Sequence, residues 1–350
     1  MPAAAQIMTV TGPIVPDRLG VTSIHEHLLF DLSAYWVAPP RAEDLAVAEA
    51  PLAMDNLWWA RLHPMWSRAN LAQRDPVLAA HEAARFKAAG GGTIVEVSSH
   101  GLARDVLGLR QVAERTGLNI IAGCGYYIGA SHPPSLSERS VEQVTEELIR
   151  EATEGIDGTG IRAGVIGEIG TSEPIAPNEV KVLRAAARAQ RATGLGIVAH
   201  PAPQHRSAAD IGRWLDVLEA EGADPGRVVI SHLDERLREA PGDYAVLARR
   251  GYLLDFDTWG NELYYETRGF QMPSDGERVK TLLPLLEAGL ADHLLLAQDV
   301  CFRVQLTSFG GAGYDHVLDR VCPRLRVLGV AESELRQMLV DNPRRALAGA

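Results

Sequence analysis

The feature that most constrains the fold is a repeated alternation. Short apolar segments rich in Val, Ile and Leu recur along the chain, and a longer stretch with helical periodicity follows each. The segments are Gly20–His25, Thr93–Val97, Asn119–Gly123, Ala163–Glu168, Gly196–His200, Arg227–His232, Tyr252–Asp257 and His293–Gln298. Apolar runs without polar alternation are strands buried on both faces, as in parallel sheets covered by helices. The intervening stretches include Pro76–Ala89, Val141–Thr153, Pro177–Thr193, Ala208–Glu221, Arg236–Arg249 and Gly276–Ala288. Several stop at a glycine, such as Gly90 or Gly194, the residue that best accepts the left-handed conformation ending a helix. Eight such units predict an α/β fold, a (β/α)8 TIM barrel, over an open doubly wound sheet. No Gly-x-Gly-x-x-Gly follows the first strand, which argues against a dinucleotide site. No linker rich in Gly, Ser or Pro divides the 350 residues, so residues 1–350 are read as one barrel domain.

Two segments are too long for ordinary βα loops of about 2–6 residues. One is an insertion after strand one, about 28–75, holding Trp36, Trp58, Trp59 and Trp66. The other is a loop after strand eight, about 299–315, with Gly310, Gly311 and Gly313. In a barrel both lie at the C-terminal face, where sites are built. The tryptophans either line that site or pack the insertion onto its support.

Polar residues end several of these strands where a purely structural core has no use for them. The first ends His25-Glu26-His27, the fourth in Glu168, the fifth in His200, the sixth in His232 and the eighth in Gln298-Asp299. Residues i and i+2 of a strand face the same side, so His25 and His27 share a space. A barrel mouth brings all these ends together. Four imidazoles and two carboxylates are costly to bury without a cation, and they form a ligand set for zinc and similar divalent ions. Six ligands exceed what one catalytic zinc uses and suit two ions about 3.5–4 Å apart. Glu168 is the natural bridge, because a carboxylate offers two oxygens. Taken singly, a His-x-His pair or a strand-terminal acid is ordinary; the joint order carries the signal.

Composition removes other classes. Against 45 Asp+Glu stand 34 Lys+Arg, a net charge of −11, which disfavours a nucleic-acid partner. No apolar run reaches the roughly 18 residues of a membrane helix, and the first ten residues lack the pattern of a signal peptide. Cys124, Cys301 and Cys322 form no C-x-x-C pair; so sparse a set suits a reducing cytoplasm. The expected location is cytoplasmic, with a small-molecule substrate and no membrane partner.

These residues resemble the phosphotriesterase family of the amidohydrolase superfamily. The matching runs are Gly-Val-Thr-Ser-Ile-His-Glu-His at 20–27, Gly-Gly-Gly-Thr-Ile-Val-Glu-Val at 90–97, Gly-Val-Ile-Gly-Glu-Ile-Gly-Thr-Ser at 164–172 and Val-Ile-Ser-His-Leu-Asp at 229–234. Gln298-Asp299-Val300, Gly313-Tyr314-Asp315-His316 and Asp341-Asn342-Pro343-Arg344-Arg345 match as well. The resemblance assigns His25, His27 and Asp299 to a buried metal, His200 and His232 to a more exposed one, and the bridge to Glu168. The best-known members carry a carboxylated lysine there; glutamate is similar to the phosphotriesterase-related branch and implies no modified lysine. The implied cofactors are two divalent ions, zinc first, with manganese or cobalt also compatible. The implied chemistry is attack by a metal-bridging hydroxide on a carboxylic ester, lactone or amide, with Asp299 as catalytic proton acceptor. Alternatives are a phosphotriester hydrolase using the same site, a TatD-like metal-dependent deoxyribonuclease and a non-catalytic metal-binding barrel. Tyr127, His100, Arg206 and Trp259 are candidate substrate contacts, Arg206 for an anionic group such as a carboxylate, sulfonate or phosphate. The resemblance also implies a homodimer.

Overall fold

In the computed structural model, residues 6–236 and 241–348 are described. Eight parallel strands form one sheet in chain order: β1 Val21–Glu26, β2 Gly91–Glu96, β3 Asn119–Cys124, β4 Val165–Gly170, β5 Ile197–His200, β6 Val228–Ile230, β7 Leu253–Phe256 and β8 Leu294–Leu296. Helices return the chain between them: α1 Pro76–Ala88, α2 Val106–Thr116, α3 Val141–Thr153, α4 Pro177–Thr193, α5 Ala208–Ala220, α6 Pro241–Arg249 and α7 Asp275–Glu287. After β8 the chain continues through α8, Cys322–Val327, and further short helices to Ala348. This is the α/β TIM-like barrel that the alternation predicts. The stretch read as one helix over 236–249 contains a short helix at Leu233–Arg236 and then α6; residues 237–240 lie outside the described residues.

Local chemistry explains the helix limits. Pro76 and Pro177 occupy the first helical turn, where a missing N–H goes unmissed. Ser140 caps α3 and Gln143 reaches back to it, a reciprocal capping box. Gly194 ends α4 at φ 73°.

Two apolar layers hold the barrel. Its interior is filled by Ile24, Val95, Ile121, Val165, Val198, Val229, Leu253 and Leu295, one strand each. A larger layer lies between sheet and helices, with Val182, Leu215, Phe256 and Trp214 among its members. A third cluster roofs the C-terminal mouth. Leu32, Ala60 and Met65 of the insertion pack there with Tyr127, Tyr265, Met272, Phe302 and Val304 from other loops. The insertion is pinned by pairing of Phe30–Asp31 with Ala72–Gln73. Three of its tryptophans pack together and Trp58 is exposed: Trp36 Nε1 donates to the Trp66 carbonyl (2.9 Å), Trp59 lies near Trp66, and Trp66 stacks on His63.

The seam between β1 and β8 closes through a buried carboxylate. Glu26 Oε1 accepts from Ser23 Oγ (2.6 Å), Gln298 N (3.0 Å) and Gln298 Nε2 (2.7 Å), while Oε2 accepts from Val300 N (3.1 Å). The loop after β8 is anchored similarly. Both Glu82 oxygens accept from the backbone and hydroxyls of Thr307 and Ser308. No helix among the described residues is long and apolar enough to cross a membrane.

Removing the seam carboxylate leaves several buried donors unpaired. Glu26→Ala is therefore expected to lower the unfolding free energy by about 3 kcal/mol in urea titration. A loss below about 0.5 kcal/mol would show that the seam closes without it.

Candidate functional site

The strand ends bring His25, His27, Glu168, His200, His232 and Asp299 into one cluster at the barrel mouth. His25, His27 and Asp299 form one triad whose ligand atoms lie within 4.8 Å of each other; Glu168, His200 and His232 form another. Glu168 stands between them, with Oε1 2.7 Å from His200 Nδ1 and 3.4 Å from His25 Nε2, and Oε2 3.8 Å from His27 Nε2. Asp299 Oδ1 is 3.3 Å from His27 Nε2 and 3.7 Å from His25 Nε2.

Outer partners orient the rings. His27 Nδ1 meets Ser98 Oγ (2.9 Å), which itself donates to Glu96 (2.7 Å). His25 Nδ1 lies 2.9 Å from Ser231 Oγ and 3.2 Å from Asp257 Oδ2. The other oxygen of Asp257 meets His232 Nδ1 (2.9 Å) and the His232 backbone N–H. Nδ1 is thus engaged on three of the four rings, which turns their Nε2 atoms into the cluster. The fourth, His200, offers Nδ1 instead, 2.7 Å from His232 Nε2.

The electrostatics call for positive charge here. Burial opposes ionisation of Glu168, yet the surrounding imidazoles, His200 foremost, hold its carboxyl well below the usual range. Burial likewise opposes charging of His232, but Asp257 outweighs it and raises the ring to about 9. His25 is also raised, by Asp257 and Glu168 against burial, while burial drives His200 down to about 4. The Nε2 atoms of His25 and His200 are buried without a hydrogen-bond partner. Convergent imidazole nitrogens and carboxylate oxygens, with His25 Nε2 orphaned among them, fit divalent cations. Two ligand-bearing residues also hold uncommon backbones: His232 at φ 59° and Asp299 at φ 48°. Left-handed non-glycine residues are strained by about 1–3 kcal/mol and cluster at functional sites.

Above the cluster is a cavity of about 60 Å³ that opens toward the surface. His27, Glu168, His200, His232 and Asp299 form its floor; Tyr35, Met65, Tyr127, Tyr265 and Met272 line its walls with Arg236 and Arg268. Tyr35 donates its hydroxyl to that of Tyr127 (2.9 Å), whose ring meets His200 edge-on. Cys301 joins the wall with its thiol 3.8 Å from Asp299 Oδ2, and burial pushes that thiol well above its ordinary range.

Of the four candidate substrate contacts, Tyr127 alone lines this cavity. Trp259 is 1% exposed and packs between barrel and helices. His100 stacks on Tyr126 and faces Glu147 and Glu151, away from the cavity. Arg206 lies at the rim, over the Phe270 ring and donating to the Glu235 carbonyl. The insertion contributes Tyr35 and Met65 to the cavity and none of its tryptophans. Asp257, Ser98 and Ser231 escape the strand-end reading, although Asp255 and Asp257 repeat the same i, i+2 pattern of polar residues at the end of β7.

This barrel, with a histidine-and-carboxylate mouth, defines a hydrolase scaffold, and the chain belongs to the phosphotriesterase family, which it matches over residues 5–347. It is 38% identical to an N-acetyltaurine hydrolase of Salmo salar over 98% of each chain. Among solved structures it resembles a resiniferatoxin-binding protein from Rhodobacter sphaeroides (39% identity, 98% of this chain and 95% of that one, TM-score 0.94). It also resembles the phosphotriesterase homology protein of Escherichia coli, which was solved with phosphate in its active site (28% identity, 94% and 99% coverage, TM-score 0.77). Family membership removes the ground for the TatD-like alternative.

Asp257→Asn is expected to weaken zinc binding about 10–100-fold by chelator competition, since the carboxylate fixes two candidate ligand rings. Unchanged affinity would remove Asp257 from that role. The intact mass is expected to show no carboxylated lysine.

Proposed function

We propose that this protein is a metal-dependent amide hydrolase that cleaves N-acetyltaurine to acetate and taurine. The observation that carries this reading is the six-residue donor cluster beneath a small cavity, in a chain matching N-acetyltaurine hydrolases over 98% of its length. His25, His27 and Asp299 would hold one divalent ion and His200 and His232 the other, with Glu168 shared. Two such ions supply Lewis acidity, bringing a water toward ionisation at neutral pH and polarising an acyl oxygen.

The protein's own groups do the rest. Asp299, at the cavity floor, is placed to take the proton of the attacking water and deliver it to the departing nitrogen. The water oxygen bonds to the acyl carbon, the C–N bond breaks, and the amine leaves carrying that proton. Tyr35 and Tyr127 form a hydroxyl pair at the wall, where Tyr127 can direct a hydrogen bond to the acyl group. Met65, Met272 and Phe302 line the cavity with apolar surface, which lowers the local dielectric and strengthens polar contacts beside it.

With zinc-loaded protein, kcat/KM for N-acetyltaurine is expected to exceed that for a simple lactone, an aryl ester and paraoxon by at least about 100-fold. A paraoxon rate above the amide rate would favour the phosphotriester reading instead. Asp299→Asn is expected to lower kcat about 100- to 10,000-fold. Full activity in that variant would contradict the proton-transfer role.

A further inference from the structure

The cavity wall beside the tyrosine pair carries two guanidinium groups, Arg236 and Arg268. Arg236 is 3% exposed, its Nε is buried without a hydrogen-bond partner, and it lines the cavity. Its remaining contacts are few: Nη2 donates to the Pro201 carbonyl (3.3 Å), and Nη1 lies against the Glu235 carboxylate. Arg268 reaches the same cavity from the hairpin of Tyr264–Tyr265 and Phe270–Gln271. Its guanidinium sits over the Tyr35 ring, 5.1 Å from the centroid, and among the described residues it makes no ion pair. Arg206 stands on the other side of that hairpin, over Phe270. Burial, then the charges of Arg268 and Arg206, push Arg236 down to about 9. Arg236 and Arg268 thus bring two positive groups to the cavity wall beside Glu235, and a buried cation such as Arg236 is costly unless an anion answers it.

Resting on the amide-hydrolase reading, we infer that Arg236 and Arg268 form the subsite for the anionic end of the substrate, with Arg206 at its rim, and that the group it takes is a sulfonate. A sulfonate stays ionised when buried and presents three oxygens, one toward each guanidinium direction. A carboxylate presents two and, being more basic, is more readily neutralised when buried beside Glu235. The acyl end would then lie at the donor cluster and the anionic end at the arginines, so that the subsite selects which amides reach Asp299.

The test uses the zinc-loaded full-length protein, with Arg236→Met, Arg236→Lys and Arg268→Ala. Binding of propane-1-sulfonate, which cannot be hydrolysed, is followed by calorimetry. Kinetics compare N-acetyltaurine with its carboxylate counterpart N-acetyl-β-alanine and the neutral N-ethylacetamide. Expected are propane-1-sulfonate binding weakened at least about 10-fold in Arg236→Met and Arg268→Ala, with partial recovery in Arg236→Lys. The kcat/KM ratio of N-acetyltaurine to N-ethylacetamide is expected to fall by a similar factor, mostly through KM. Should Arg236→Met fail to fold, the Lys variant and the exposed Arg268→Ala carry the same comparison. Wild-type-like propane-1-sulfonate binding in the variants, or an unchanged substrate ratio, overturns the subsite. A wild-type preference for N-acetyl-β-alanine overturns the sulfonate assignment. Arginine-dependent propane-1-sulfonate binding without hydrolysis of any amide would leave the subsite standing and refute the hydrolase reading.

Discussion

The arrangement depends on one electrostatic constraint. Glu168, Asp257 and Asp299 are buried within reach of four imidazoles at the mouth of the barrel. Carboxylates so buried require compensating positive charge: they raise His25, His27 and His232 toward the charged form against burial, while burial drives His200 down to about 4. Divalent cations would answer the same demand without protonating any ring. The strained backbones of His232 and Asp299, the seam held by Glu26 beside His25 and His27, and the outer hold of Asp257 and Ser98 all follow as means of keeping those donors convergent.

Above this floor, the departures from a minimal barrel build the chamber. The insertion after β1 brings Tyr35 and Met65, the loop after β7 brings Tyr265, Arg268 and Met272, and the loop after β8 brings Cys301 and Phe302. These segments also hold each other. His63 of the insertion meets Glu266 of the β7 loop (3.1 Å), and Arg61 donates to the carbonyls of Val304 and Gly310. The candidate metal donors reside on rigid strand ends and the cavity wall on mutually braced loops, an arrangement that lets one scaffold serve different substrates.

The barrel and the six donors were legible because both rest on short-range rules: apolar runs mark buried parallel strands, and a polar residue at a strand end breaks that run visibly. The same rule would have exposed Asp257, which sits two residues after Asp255 at the end of β7; its role emerges only when β1, β6 and β7 are seen side by side. The chamber was not legible. Tyr35 and Arg268 lie on loops and Arg236 ends the short helix Leu233–Arg236; the course of each is set by tertiary packing, and no local periodicity marks them. Trp259 shows the converse: a large aromatic beside a strand end invites a binding role, yet the turn after β7 directs it beneath the barrel wall. Arg104 beside Asp105 reads as an ion pair, but Asp105 caps α2 while Arg104 pairs with Glu151 and Asp157 across the loop.

The central claim, that the cluster holds two cations sharing Glu168, is tested most directly by anomalous diffraction at the zinc edge from crystals grown with zinc. The account predicts two peaks about 3.5–4 Å apart, one beside His25, His27 and Asp299 and the other beside His200 and His232, with Glu168 reaching both. A single peak, or peaks away from these six residues, would contradict it.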